Sequence, residues 1–333
     1  GSEAALVPEE KRVESATSLM REVFKFAKGR GMKVILGIDV DTRSANPQNI
    51  IMTLPKSSRL TSTGYGVVND IVNPDTPEGY AYYQSQVKSI IKLYPDIDRV
   101  ALFFRHSYNS LWKSLKASKF PPEWKIEYKN LLKRYPHLRD DPASPSIFAI
   151  SKIVKAFRRA LDEFGRSDII LAIGTWGYKD MSAAEAIFPD DINFLPLDYS
   201  TVTRMDENEK KVRWFRKSRK VMPIFLSHND DGEYLIRPRV PLPELASLLE
   251  ERNNSGFGIL HWTTRFQDVY FKNMANQVWS GTENESLMET CRDMAKKTFG
   301  EKYADVMSTY PVSYTHLRAH ETSLHLVCRL LLE

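Results

Sequence analysis

The sequence predicts an α/β fold, a (β/α)8 barrel of the TIM type that is incomplete, with about six of its eight strands present. Three observations predict it. Six short apolar runs alternate with stretches of helical periodicity, and that alternation builds a parallel sheet. Polar or aromatic residues follow the C-terminal end of all six runs, as they do at the mouth of a barrel. The chain also opens on a helix, as though a cut fell after a second strand. The competing architecture is an open doubly wound sheet. It has little support, because no Gly-x-Gly-x-x-Gly turn follows a strand and no Gly-x-x-x-x-Gly-Lys loop occurs.

In order, Pro8–Arg30 carries Val13, Leu19, Met20, Val23, Phe24 and Ala27 at helical spacing, closed by Gly29 and Gly31. Met32–Val40 is the first visible strand, counted as strand three, and ends at Asp39 and Asp41. A long polar loop follows with Pro47, Pro55, Gly64 and Gly66. Thr76–Tyr94 is a helix with Pro77 at its start and Val87, Ile90 and Ile91 on one face. Asp98–His106 is strand four, running into Ser107, Tyr108 and Asn109. An insertion at residues 111–145, rich in Lys, Pro and aromatics, is expected to form a loop or helical flap over one end.

Pro145–Phe164 is a helix with Ile150, Ile153, Val154, Phe157 and Leu161 inward. Asp168–Trp176 is strand five and Ile192–Tyr199 strand six, ending at Trp176 and Asp198. A helix over Glu207–Lys220 leads to strand seven within Met222–Leu226, and Pro243–Arg252 is helical again. Gly256–Thr264 is strand eight, finishing at His261, Trp262 and Arg265. Helices within residues 267–299 (Gln267–Trp279 and Glu283–Phe299) close a partial catalytic barrel of residues 1–310. With two strands absent, strand three is an unprotected apolar edge, and the isolated chain is expected to aggregate or express poorly.

The tail, residues 311–333, is expected to be non-native. PVSYTHLRAHET (Pro311–Thr322) and LVCRLLLE (Leu326–Glu333) resemble translated sequencing-library adapter, with Ser323–His325 as the variable index between them. His316, His320, His325 and Cys328 then carry no biological information, and the natural chain is cut near Tyr310 on a metagenomic fragment.

The 333 residues are 42% hydrophobic and 27% charged, ordinary values for a water-soluble fold of one large domain or two smaller ones. No apolar run reaches the roughly 20 residues a membrane helix needs. Two cysteines give neither a disulfide framework nor zinc spacing. The net charge of +5 is spread along helices, except at KKVRWFRKSRK (Lys210–Lys220). Basic and aromatic residues alternate there as on a nucleic-acid surface, but an exposed amphipathic helix accounts for them, and no nucleic-acid or membrane partner is expected. A trimmed leader would leave no trace; a secreted or periplasmic bacterial protein is expected.

The chemistry gathers at the strand ends. Asp198 ends strand six, and Asp230, Asp231 and Glu233 lie just past strand seven. Neighbouring barrel strands bring such carboxylates to one pocket, where a facing pair across a sugar can act as acid and base. Asp198 could equally cap a helix or hold a salt bridge. Asp39 and Asp41 alternate, so if the strand persists both point the same way and suit substrate hydroxyls; pairing with Arg43 is the other reading. Trp176 and Trp262 suit the apolar face of a sugar ring, or a place in the core. Arg105, His106 and Arg265 could hold a carboxylate such as a uronic acid. His228 stands beside them as a binding candidate or a hydrogen-bonded structural residue. His228, Asp230, Asp231 and Glu233 also include metal-ligand types, but adjacent residues rarely face one ion, so no metal and no cofactor are expected.

Two segments carry a family resemblance. NPDTPEGYAYYQSQVKSIIKLYPDIDRVALFF (Asn73–Phe104) resembles the helix and strand leading into strand four of barrel glycoside hydrolases of the hexosaminidase and xylan α-glucuronidase types. SGFGILHW (Ser255–Trp262) and WSGTENESLMETCRDMAKKTFG (Trp279–Gly300) are similar to the last strand and closing helices of α-glucuronidase-like proteins. In α-glucuronidases the general-base carboxylates sit on strands six and seven, which implies Asp198 and Asp230 or Asp231 here. Those families carry an acid after strand four, where this chain reads Arg105-His106-Ser107. Glu233 or an upstream residue must then supply the proton, or the reaction differs, or hydrolysis is lost. The expectation is a glycoside hydrolase acting on plant or algal oligo- or polysaccharide, including uronic-acid-bearing chains. The alternatives are a non-catalytic carbohydrate-binding barrel and a metal-dependent hydrolase.

Overall fold

In a computed structural model the chain falls into two units, residues 1–224 with 254–257, and residues 225–253 with 258–333. The structure describes residues 7–63, 66–104, 110–112, 114–176, 183–198, 220–226, 245–251, 255–260, 268–279 and 286–309, with backbone alone at 175, 176, 197, 198, 226, 248, 251 and 260.

The first unit opens on helix α1 (Glu9–Gly29), whose acidic first turn, Glu9 and Glu10, suits the helix dipole. Gly31, at φ +73°, takes the left-handed conformation that turns the chain out of the helix. Strand β1 (Ile35–Asp39) follows. The face expected to be inward on α1 is only partly so. Phe24 is buried edge-on to Tyr94 with ring centroids 5.6 Å apart, and Met20 and Ala27 pack beside it. Val13, Leu19 and Val23 are instead exposed, at 75%, 61% and 50%. The apolar residues span too wide an arc for one contact to cover them.

The expected polar loop contains structure. A turn of helix α2 (Gln48–Ile51) precedes an antiparallel pair, β2 (Arg59–Ser62) and β3 (Asn69–Val72), with Leu60 opposite Ile71. Ile51, Leu60, Ile71 and Val72 are buried, so this segment contributes to the core. Four-residue strands separated by a segment with two glycines are too short for periodicity to reveal.

Helix α3 (Pro77–Leu93) starts at Thr76, whose Oγ1 accepts from the Gly79 amide at 3.2 Å. A side chain at Gly79 could not fit, since a Cβ would lie 1.8 Å from the Asn73 carbonyl oxygen. Tyr83 and Val87 are buried on its inner face. Strand β4 (Arg99–Phe104) pairs with β1 in parallel, Gly37 beside Ala101 and Asp39 beside Phe103. At the N-terminal end of this pair the Asp98 carboxylate accepts from the Val34 amide at 2.8 Å and from Lys28 at 2.8 Å.

The insertion is integral to the core. It holds helix α4 (Pro122–Arg134), and its Leu111, Trp112, Leu115, Phe120, Trp124 and Leu138 are all buried. It wraps helix α5 (Ser144–Glu163), on which Ser146–Val154 are buried without a break. A helix surrounded on all sides hides its residues whatever their phase. Buried Lys152 anchors the arrangement: its Nζ lies 2.7 Å from Asp75 Oδ2 and 2.6 Å from Glu127 Oε2, while Trp124 Nε1 donates to the same Asp75 oxygen at 2.7 Å.

Strand β5 (Ile170–Trp176) pairs in parallel with β4, and β6 (Asn193–Asp198), reached through the short helix α6 (Ala184–Ile187), pairs in parallel with β5. The sheet β1-β4-β5-β6 has two distinct faces because side chains alternate along each strand. Leu36, Val100, Leu102, Phe104, Leu171, Ile173 and Phe194 join the core shared with the helices. Ala101, Ala172 and Leu195 pack with Ile35, Phe103, Met222 and Ile224 on the other face.

Strand β7 (Ile224–Leu226) begins at the boundary between the units. The second unit continues with α7 (Leu245–Glu251), β8 (Gly258–Leu260), α8 (Asp268–Trp279) and α9 (Leu287–Phe299). A buried amide network joins the helices: the Leu245 amide donates to Gln277 at 2.7 Å, Gln277 to Asn273 at 2.8 Å, and Asn273 to Thr290 at 2.9 Å. Ser286 and Glu289 form a reciprocal cap at the start of α9. The expected helix at 207–220 and the tail at 311–333 lie outside the described residues. Among those described, no helix is long and apolar enough to cross a membrane. The fold shown is therefore α/β with a parallel sheet; a closed barrel is not.

Candidate functional site

Parallel pairing places the C-terminal ends of β1, β4, β5 and β6 on one edge of the sheet. The register runs from Asp39 to Phe103 to Gly174 to Leu195, with Trp176 beside Leu197 and Asp198 one residue further. Asp39, Trp176 and Asp198 thus terminate strands on the same edge. Asp39 is level with Leu195, three strand spacings or roughly 14 Å away on a flat sheet, and Asp198 lies three residues further along β6.

Strand β1 stops at Asp39 for a local reason. Asp39 Oδ1 accepts from the amides of Asp41 at 3.0 Å and Thr42 at 3.2 Å, which bends the chain into a turn. The strand does not persist, so the expected alternation of Asp39 and Asp41 toward one side does not apply. Asn46 secures the turn from below, its Nδ2 donating to Val40 O at 3.0 Å and Thr42 O at 2.8 Å.

Asp41 is wholly buried. Its Oδ1 accepts from the Trp112 amide at 2.6 Å, its Oδ2 from the Ser110 hydroxyl, and its backbone oxygen from the Leu111 amide at 3.2 Å. Ser62 Oγ donates to Leu111 O on the other side of that segment. One carboxylate thereby fixes residues 110–112, where the described chain resumes after β4. Sequence reasoning named Asp41 but missed Ser110, Asn46 and Ser62, polar loop residues with no pattern of their own.

An open cleft of about 360 Å³ lies beside this turn, lined by Ile38, Asp39, Val40, Asn46, Tyr82 and Gln86 among others. It faces α3 rather than the Phe103 side of the sheet, since Ile38 packs with the helix-facing core.

Trp176 and Asp198 are placed by backbone only. Arg105, His106, His228, Asp230, Asp231, Glu233, Trp262 and Arg265 lie outside the described residues, as do the adapter-like histidines. Among the described residues no group of three or more His, Cys, Asp and Glu side chains is arranged to hold a metal ion.

No family model matches the chain, and no curated protein sequence matches it. Among solved structures it is similar to D-psicose 3-epimerase determined in the presence of D-fructose, at 14% identity and a TM-score of 0.37 over 85% of this chain and 84% of that one. It is similar to the glycoside hydrolase domain of PelA from Pseudomonas aeruginosa, at 9% identity and 0.38 over 71% and 81%. It is also similar to bee venom hyaluronidase, at 12% identity and 0.34 over 78% and 87%. Likeness at this level transfers neither a fold nor an activity to the present chain.

Proposed function

We propose that this chain is a glycoside hydrolase of barrel type, α-glucuronidase-like in its reaction, acting on plant or algal polysaccharide that bears uronic acids. The supporting observation is the common edge on which β1, β5 and β6 end in Asp39, Trp176 and Asp198. In this reading Asp198 and Asp230 or Asp231 activate water, and Glu233 donates a proton to the leaving oxygen. Arg105 and Arg265 hold the sugar carboxylate in bidentate fashion, aided by His106 and His228, and Trp176 and Trp262 stack on ring faces. Asp39 meets substrate hydroxyls. It is too far along the sheet from Asp198 to be its acid–base partner, which needs roughly 5–9.5 Å. Asp41, being buried, holds the loop that presents Arg105 and His106. The substrate is a poly- or oligosaccharide, with no nucleic-acid partner and no resident cofactor, and the protein works outside the cytoplasm.

The test is release of reducing sugar from a glycan panel that includes glucuronic-acid-substituted xylan, by the full chain and by Asp198→Asn and Asp231→Asn. Losses of about 10²–10⁴-fold are expected for groups in acid–base roles. Unchanged turnover in both variants removes those roles. Calorimetric sugar binding without turnover supports the second reading, a carbohydrate-binding barrel without catalysis. That reading is favoured by Arg105-His106-Ser107 standing where related barrels carry an acid.

A further inference from the structure

We infer that Gln48 and Ser62 are positioning residues for Asp39, holding the turn that carries its carboxylate through a closed circuit of hydrogen bonds. The inference rests on the proposed contact of Asp39 with substrate hydroxyls, and it assigns the β2–β3 pair to the same site.

The circuit joins three segments that are remote in sequence. Asp39 Oδ1 accepts from the Asp41 and Thr42 amides, so the carboxylate is only as well fixed as that turn. Asn46, 2% exposed, gathers Val40 O and Thr42 O with its Nδ2. Its own carbonyl accepts from Gln48 Nε2 at 3.0 Å. Gln48, at the start of α2, then grips β3 as a neighbouring strand would. Nε2 donates to Asp70 O at 2.9 Å, and Oε1 accepts from the Asp70 amide at 2.9 Å. From Asp70 the ladder leads to β2, where Ser62 stands opposite Asn69. Ser62 Oγ donates to Leu111 O, and the Leu111 amide donates to Asp41 O at 3.2 Å, which returns to the turn.

Asp41, Asn46, Ser62 and Leu111 are all buried, so these bonds are made away from water, where they are stronger and reinforce one another. The pair β2–β3 is already anchored by apolar burial, through Leu60 and Ile71 opposite each other and through Val72. What the polar links add is orientation. A group that meets substrate has to be held to within roughly 0.5 Å of its productive place, and supporting hydrogen bonds supply that. Gln48 reaches the turn from one side and Ser62 from the other.

A double-mutant cycle in the full chain tests this. Gln48→Met keeps the side-chain length and removes three hydrogen bonds, and Ser62→Ala removes the one to Leu111 O. On a glycan that the parent turns over, each should raise KM roughly two- to tenfold, the worth of one hydrogen bond to substrate, with kcat unchanged. In an Asp39→Ala background neither should raise KM further, because the group they place is gone. Where the parent binds sugar without turnover, Kd from calorimetry takes the place of KM. Amide hydrogen exchange at Asp41 and Thr42 should quicken in Gln48→Met with no sugar present. Losses that add to that of Asp39→Ala overturn the inference, as do unchanged exchange rates at Asp41 and Thr42. A parent that neither cleaves nor binds any glycan defeats the carbohydrate reading and this role with it, so the parent alone tells the two failures apart.

Discussion

The ring of Phe103 lies across Gly174 on the next strand, so close that a Cβ at position 174 would sit 2.3 Å from two ring carbons. The register that sets Phe103 beside Gly174 also sets it beside Asp39, and the ring reaches back over β1 as well, where a Cβ at Gly37 would lie 3.1 Å from a ring carbon. Gly174→Ala should destabilise the protein by about 1–3 kcal/mol through overpacking, read as a lower urea midpoint. Phe103→Leu in the same chain should recover part of that loss, because the two positions are in direct contact.

Asp41 is the second lever on the same edge. Asp41→Ala leaves the Trp112 amide and the Ser110 hydroxyl without their buried acceptor, at a cost of roughly 2–4 kcal/mol. Ser110→Ala removes one donor and should cost less. Hydrogen exchange should report the Asp41→Ala loss as faster exchange at the Trp112 amide, with the amides of α5 little changed.

The Lys152 cluster should respond unequally to its two acids. Asp75 accepts from both Lys152 and the buried Trp124 indole, whereas Glu127 serves Lys152 alone. Asp75→Ala is expected to cost about 2–4 kcal/mol and Glu127→Ala about 1 kcal/mol, compared by thermal unfolding. Limited proteolysis should cut α4 sooner in Asp75→Ala than in the parent chain.

Asp98 gives a pH dependence of known sign. Burial pushes its carboxyl upward, but the hydrogen bonds from Lys28, the Val34 amide and Lys33 outweigh it and hold the group at about 2. A carboxylate depressed on folding adds stability that is present above its ordinary value near about 4 and is lost as pH falls toward its folded value. Because both lysines are largely in water, the contribution is on the order of 1 kcal/mol. Asp98→Asn should lower stability at neutral pH, and the gap should close between about pH 4 and pH 2 in denaturant titrations.

The alternation of apolar runs and helical repeats is enough to read four parallel strands, the long helices α3 and α5 between them and the inward residues of α5, whereas the four-residue α6 is too short to leave a period. The pair β2–β3 leaves no such trace, because four-residue strands fall below the length at which alternation is distinguishable. The insertion was misjudged for another reason. Trp112, Phe120 and Trp124 declare burial by type, but no periodicity says against what, and their partner α5 is buried without a break over Ser146–Val154. At the strand ends residue type named Asp39 and Asp41 as a like pair. Only hydrogen bonding separates them, one bending the chain and one holding a distant segment.

The register of the sheet has a consequence for how the chain acquires its shape. Ile35 pairs with Arg99, and Arg99 with Ile170, so the first two ladders of the sheet each close a loop of roughly 60–70 residues. On a ribosome β1 would emerge long before β4, and its edges would stay open while the intervening polypeptide is made. Contacts so remote in sequence put folding in the slow range for a domain of this kind. A chaperone that shields extended apolar segments should therefore raise the yield of native protein more than lowering the temperature does.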